Sequence, residues 1–149
     1  MQNSLDYDQN WRATKLVELS RLSAQLTRQD LLQTIAEYGS ELTAAEACSI
    51  LLYDPSVGIL RFVAGPWYQI EALRSVQVPL EGSIAGRVIR LGEPSLINHP
   101  DENEEIFRQV DDSLQNKTHS IAAVPVVYCG KVLGVIEAIN KCDDALFTI

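Results

Sequence analysis

Apolar residues recur along this chain at two spacings, helical near its start and strand-like in much of the remainder. From Trp11 to Leu26 no Pro or Gly intervenes, and Leu16, Leu19, Leu22 and Leu26 step by three and four. That spacing predicts a helix with an apolar stripe one face wide. So narrow a stripe packs on its own domain or on a partner helix, and parallel or antiparallel dimerisation stands beside intrachain packing. The polar residues 1–10 predict a ragged terminus. A second helix begins at Thr27, with Asp30 three residues on as a loose capping pair. Leu31, Leu32, Ile35, Tyr38 and Leu42 form its apolar face.

Beyond the helices the pattern turns to strands. Cys48 to Tyr53 reads as a strand that turns at Asp54-Pro55-Ser56-Val57-Gly58 and returns from Ile59 to Ala64, because Pro presets φ and Gly permits a positive one. Val76 to Pro79 is a short strand. Gly82-Ser83 then introduces a helix with Ser83 as its cap, Ile84, Val88 and Leu91 on one face, and Gly92 as its stop. Ser95 to Ile97 is a further short strand. Ser120 to Tyr128 and Val132 to Asn140 are strands joined by a turn at Cys129-Gly130-Lys131. The last strand is apolar on both faces, so it belongs in the middle of a sheet covered on both sides. Hairpins interleaved with helices give an α+β class with a mostly antiparallel sheet.

Composition narrows the function more than the fold. A chain of 149 residues is one domain long, and 46% apolar with 21% charged residues is ordinary for a globular protein. The net charge of −8 disfavours nucleic acid and anionic membrane, both of which reward clustered Lys and Arg. Three cysteines, odd in number and none spaced as Cys-x-x-Cys, suit a reducing cytosol, and a cytoplasmic location is expected. No run of about 18 apolar residues predicts insertion into a membrane.

Catalytic signals are thin. In Gly82-Ser83-Ile84-Ala85-Gly86 the serine follows glycine directly, so the stretch is a helix cap rather than a nucleophile elbow. No phosphate loop or zinc helix occurs. His99 and His119 stand in loop-like contexts, so an enzyme acting through Ser83 or Cys129 with a histidine is poorly supported. The acids between 101 and 116 lack the spacing of a calcium loop and read as a solvated, charged segment. Glu137 is different. It sits amid Leu133, Val135 and Ile139, where a carboxylate must meet a donor from protein or ligand or else its pKa rises. Pairing with a neighbouring Lys, or a partly exposed strand end, is the structural alternative.

Taken in order, Cys48-Ser49-Ile50-Leu51-Leu52-Tyr53-Asp54, Gly82-Ser83-Ile84-Ala85-Gly86, Val110-Asp111-Asp112, Val124-Pro125-Val126 and Gly134-Val135-Ile136-Glu137-Ala138-Ile139-Asn140-Lys141 resemble the GAF domains. The resemblance implies a GAF-like, profilin/PAS-like α+β fold: a central antiparallel six-stranded sheet with helices on both faces. It divides the chain into an N-terminal dimerisation or signalling helix (1–27) and a GAF domain (28–149) lacking its usual C-terminal helix. Asn140, Lys141 and Phe147 are similar to the first part of the signature of the cyclic-nucleotide-binding branch of phosphodiesterases and bacterial adenylate cyclases. In that branch the Lys pairs with a later Asp to brace the pocket lid.

Carried across one position at a time, the resemblance implies a ligand site. Ser49 stands near the base, and backbone groups of Ile84 and Ala85 meet the phosphate. Phe107 covers the pocket, Asp111 and Thr118 belong to a lid loop over residues 98–119, and Glu137 reaches the base or ribose. Val63 stands where an aromatic stacks on the base, and Ala64 where an acid contacts guanine, which favours adenine or a different ligand. The family's chromophore branch bonds a bilin through a Cys that is usually followed by His, which Cys48, Cys129 and Cys142 are not, so no bilin is expected; no haem and no metal are expected either. The expectation is a non-enzymatic regulatory sensor of a signal-transduction protein, such as a two-component system. It would bind a small-molecule effector, with a cyclic nucleotide the leading candidate, and act as a homodimer on a downstream output domain. A ligand-free dimerisation and relay module is the alternative.

Overall fold

The computed structural model describes residues 2–99 and 117–148, without the side chains of residues 2–8 and of Asp144. Its elements are α1 (Gln2–Ser23), α2 (Arg28–Thr43), β1 (Ala45–Asp54), β2 (Ile59–Ala64), α3 (Ile70–Arg74), β3 (Gln77–Pro79), α4 (Ile84–Leu91), β4 (Ser95–Ile97), β5 (Ile121–Tyr128) and β6 (Lys131–Lys141). The strands form one sheet in the order β3-β2-β1-β6-β5-β4, with every neighbouring pair antiparallel. Strand β6 lies between β1 and β5, as its two apolar faces require.

The local signals explain where the elements start and stop. Thr27 caps α2: its hydroxyl accepts the Asp30 N–H at 3.2 Å and donates to the Asp30 carboxylate at 2.6 Å. Ser83 caps α4 by accepting the Gly86 N–H at 2.9 Å, and Gly92 ends that helix with φ +68°. One expectation needs correction, and one element went unread. The backbone is helical through most of the polar stretch read as ragged, because polarity alone does not break a helix and no Pro or Gly interrupts it. The short α3 carried too few residues to show a period, so it was not legible.

Two apolar layers sandwich the sheet. Leu51, Phe62, Val135 and Ala123 pack on one side with Leu73 of α3 and with Ile84, Ala85 and Val88 of α4. Ile50, Ala64, Val63 and Ile136 pack on the other with Leu32, Ile35 and Ala36 of α2. Full burial of a leucine such as Leu51 or Leu60 stabilises the fold by roughly 1.5–3 kcal/mol. Helix α1 touches this body through Lys15, which pairs with Glu41 at 3.4 Å and lies 4.9 Å from the Tyr38 ring centroid. Leu19, Leu22 and Leu26 of the predicted stripe are half-buried, but Leu16 is 56% exposed. No helix among the described residues is long and apolar enough to cross a membrane.

Candidate functional site

The α4 side of the sheet gathers the polar groups singled out in the sequence. Along β1, Ser49 and Leu51 share a face, and along β6 so do Val135 and Glu137. Register places Ser49 opposite Glu137, with Ala123 of β5 opposite Glu137 on its other side. A hydroxyl, a carboxylate and a methyl group therefore form one row across three adjacent strands. Ser49 is buried, and Gly65 comes so close that a Cβ added there would lie 3.0 Å from the Ser49 hydroxyl.

Glu137 is 8% exposed, and no hydrogen bond or ion pair reaches its carboxylate among the described residues. Burial pushes its pKa up to about 7, since a charge there loses its water. At neutral pH the group is balanced between carboxylate and carboxylic acid, so it can accept or donate a hydrogen bond. Burial first, then the nearby Glu137 charge, pushes the Cys48 thiol up to about 12. A thiol so rarely ionised is a poor nucleophile.

Helix α4 begins on the same side. Ile84 and Ala85 are buried, and their first-turn N–H groups have no intrahelical acceptor. Such a terminus favours negative charge. The Ser83 hydroxyl, besides capping, donates to the Pro79 carbonyl and ties the helix start to the end of β3.

Thr118 is buried just before β5. Its surroundings are pinned by Asn140, a strand residue at φ +57°, where Asn is better tolerated than most side chains. The Asn140 Oδ1 accepts the His119 N–H at 2.6 Å, and its Nδ2 donates to Glu46 Oε2 at 2.8 Å and to the Lys117 carbonyl at 3.1 Å. Lys141 donates to the Thr43 carbonyl at the end of α2 and lies 5.8 Å from the Phe147 ring centroid. That contact, at a helix C-terminus where a cation is favoured, is where the bracing lysine of the resemblance is spent.

Register separates the other predicted contacts. A β-bulge between Ile50 and Leu51 pairs Ile50 with Ala64 but Leu51 with Phe62. One extra residue on β2 re-aims the strand. Val63 and Ala64 pack towards α2, whereas Phe62 packs on the α4 side with Leu51, Ile84 and Val135. The structure thus brings Ser49, Ile84, Ala85 and Glu137 to the α4 side and places Val63 and Ala64 on the opposite layer. Phe62 and Ala123 stand outside the set of contacts the resemblance implies. Strand alternation sets Phe62 and Val63 on opposite faces, but nothing in the sequence says which of the two faces α4. Phe107, Asp111 and most of the 98–119 segment lie outside the described residues.

A family model described as the GAF domain matches residues 25–148. The chain belongs to the GAF domain family. GAF domains are sensor domains of signalling proteins, and the six-stranded antiparallel sheet is their fold. The GAF domain from an Acinetobacter phosphoenolpyruvate-protein phosphotransferase is similar in structure, with a TM-score of 0.74 at 20% identity over 88% of this chain and 77% of that one. So is free methionine-R-sulfoxide reductase from Neisseria meningitidis, solved in complex with its substrate. There the TM-score is 0.71 at 16% identity, over 93% of this chain and 76% of that one. The same fold thus serves an enzyme, although GAF is a regulatory domain family. In sequence, this GAF domain is 31% identical over 78 residues to a probable 3',5'-cyclic phosphodiesterase, pde-5, of Caenorhabditis elegans. The match covers 52% of this chain but only 11% of that relative.

Proposed function

We propose that this GAF domain is a non-enzymatic regulatory sensor whose small-molecule effector binds on the α4 side of the sheet, with Glu137 as its central contact. The observation that carries the reading is Glu137, 8% exposed and without a hydrogen-bond or ion-pair partner among the described residues, in register with Ser49. An unpaired carboxylate in an apolar layer costs stability, and a ligand that donates to it recovers that cost. The first-turn N–H groups of α4 suit an anionic part of the same ligand. A cyclic nucleotide offers both an anionic phosphate and base N–H donors, and the partial likeness to a probable cyclic phosphodiesterase supports it. The effector acts only through a difference in affinity between two states. The relay runs through a homodimer joined by α1, whose Leu16 and Val17 are exposed, to an output domain of the parent protein.

Calorimetric titration with cyclic AMP and cyclic GMP tests this reading. Saturable one-per-subunit binding is expected, weakened at least about tenfold, or 1.4 kcal/mol, by Glu137→Ala. Unchanged affinity removes Glu137 from the site, and absence of heat with either ligand removes the nucleotide. A second reading, a ligand-free dimerisation and relay module, is favoured by Phe62 filling the α4 layer with its own ring. Sedimentation as a monomer counts against that second reading.

A further inference from the structure

A small niche lies outside the α4 layer, where β2 leaves β1. Pairing between these strands ends at Ile50–Ala64, so β1 from Ala45 to Ser49 is paired only with β6. The chain after β2 swings over α2 and is held there by two glutamines one helical turn apart. Gln29 Nε2 donates to the Val63 carbonyl and Gln33 Nε2 to the Gly65 carbonyl, each at 2.8 Å. Between the pinned loop, α2 and the open edge of β1 is a cavity of about 120 Å³. Its floor is Ala36, Ala47 and Cys48, and its rim carries Glu37, Glu46, Trp67 and Tyr68.

The lining contains two acids, two aromatic rings and no Lys, Arg or His. Each carboxylate is oriented by one protein donor: Gln33 Nε2 reaches Glu37 Oε1 at 3.1 Å, and Asn140 Nδ2 reaches Glu46 Oε2 at 2.8 Å. The second oxygen of each takes no hydrogen bond among the described residues. Trp67 and Tyr68 are 77% and 60% exposed and meet edge to face with centroids 5.7 Å apart. Trp and Tyr are enriched at interfaces, where one end of the ring is apolar and the other wet. Aromatic faces beside carboxylates attract organic cations, through the ring quadrupole and through charge.

We propose that this niche is a second binding site that takes an alkylammonium or guanidinium head group, seated between Glu37 and Glu46 against the Trp67–Tyr68 pair. The site is separate from the proposed effector site, because it opens on the α2 side and uses none of that site's residues. The head group comes from a free amine or from a Lys or Arg of a partner protein. In both cases the chemistry recognised is a compact cation with an apolar collar. The acidic character of the chain, with a net charge of −8, draws such cations towards it.

Two-dimensional NMR of the whole chain tests the site with n-butylammonium, arginine amide and octalysine, against sodium chloride at matched ionic strength. The expected result is a saturable shift of the Trp67 indole N–H and of the Glu46 to Cys48 amides with the organic cations and not with sodium. Affinity falls about tenfold in Glu37→Gln and about threefold in Trp67→Leu, sizes in keeping with one charge contact and one ring contact. Both variants change exposed side chains, and their unaltered spectra elsewhere confirm folding. Octalysine binding more tightly than butylammonium assigns the cation to a partner's basic segment, and comparable or weaker binding assigns it to a free amine. Shifts that sodium reproduces, or that survive both substitutions, overturn the site.

Discussion

Replacing Glu137 by Gln isolates the cost of its burial. The folded pKa of about 7 stands above the ordinary carboxyl value of 4.5, so the folded state holds this proton more tightly than the unfolded one. Stability from this group is complete below the unfolded value and is lost as pH rises through the folded one. Across that gap, at about 1.4 kcal/mol per pH unit, the loss amounts to roughly 3 kcal/mol. Gln has nearly the same shape and does not titrate in this range. Its own desolvation cost is independent of pH, and every other titrating group cancels in the difference between the two proteins. Urea unfolding of both at about pH 5 and about pH 8 should therefore show the variant gaining roughly 2–3 kcal/mol relative to the parent, a relative midpoint change of about 1 M or more. A difference that stays constant, or that moves the other way, refutes the unpaired, buried state of the carboxylate. A ligand that donates to Glu137 lowers its pKa and flattens the parent's profile, so the same experiment reports occupancy.

Substitutions at two further positions probe the frame around the site. Asn140→Ala strands the His119 N–H and the Lys117 carbonyl and puts at φ +57° a residue that tolerates the left-handed region less well than Asn, so it should lower unfolding free energy by about 2–4 kcal/mol. Asn140→Gly recovers only the backbone part, and equal stability of the two variants would sink that division. Gly134→Ala sets a Cβ 2.2 Å from the Leu51 carbonyl oxygen, which forces β1 from β6, and urea unfolding should show a loss of at least about 2 kcal/mol. A neutral result there would mean that the two strands can part at no cost.

Much of the architecture is local in origin and was therefore legible. The Thr27–Asp30 and Ser83 caps, the Gly92 stop and the Asp54–Gly58 turn are short-range stereochemistry, and each stands where the sequence placed it. The central position of β6 followed from its two apolar faces. Glu137 stood out because a lone acid in such a strand conflicts with its neighbours, and the structure buries it with no partner among the described residues. Lys141 shows the limit. Its identity pointed to a carboxylate partner through the resemblance, yet its ammonium reaches the Thr43 carbonyl, 98 residues away in sequence.

The sequence by itself determined most of the elements, the sheet's antiparallel class, the family and the presence of one acid out of keeping with its strand. Those properties depend on period, turn chemistry and composition, which act over a few residues. Tertiary structure alone decided which groups meet. The bulge at Ile50 and Leu51 turns Phe62 towards α4 and Val63 with Ala64 towards α2, and one inserted residue in a ladder leaves no mark in the pattern. Long-range register likewise set Ser49 opposite Glu137, and the loop held by Gln29 and Gln33 brought Trp67 and Tyr68 beside Glu37 and Glu46. Sites of this kind arise where strands pair or part, and pairing is a property of the whole sheet.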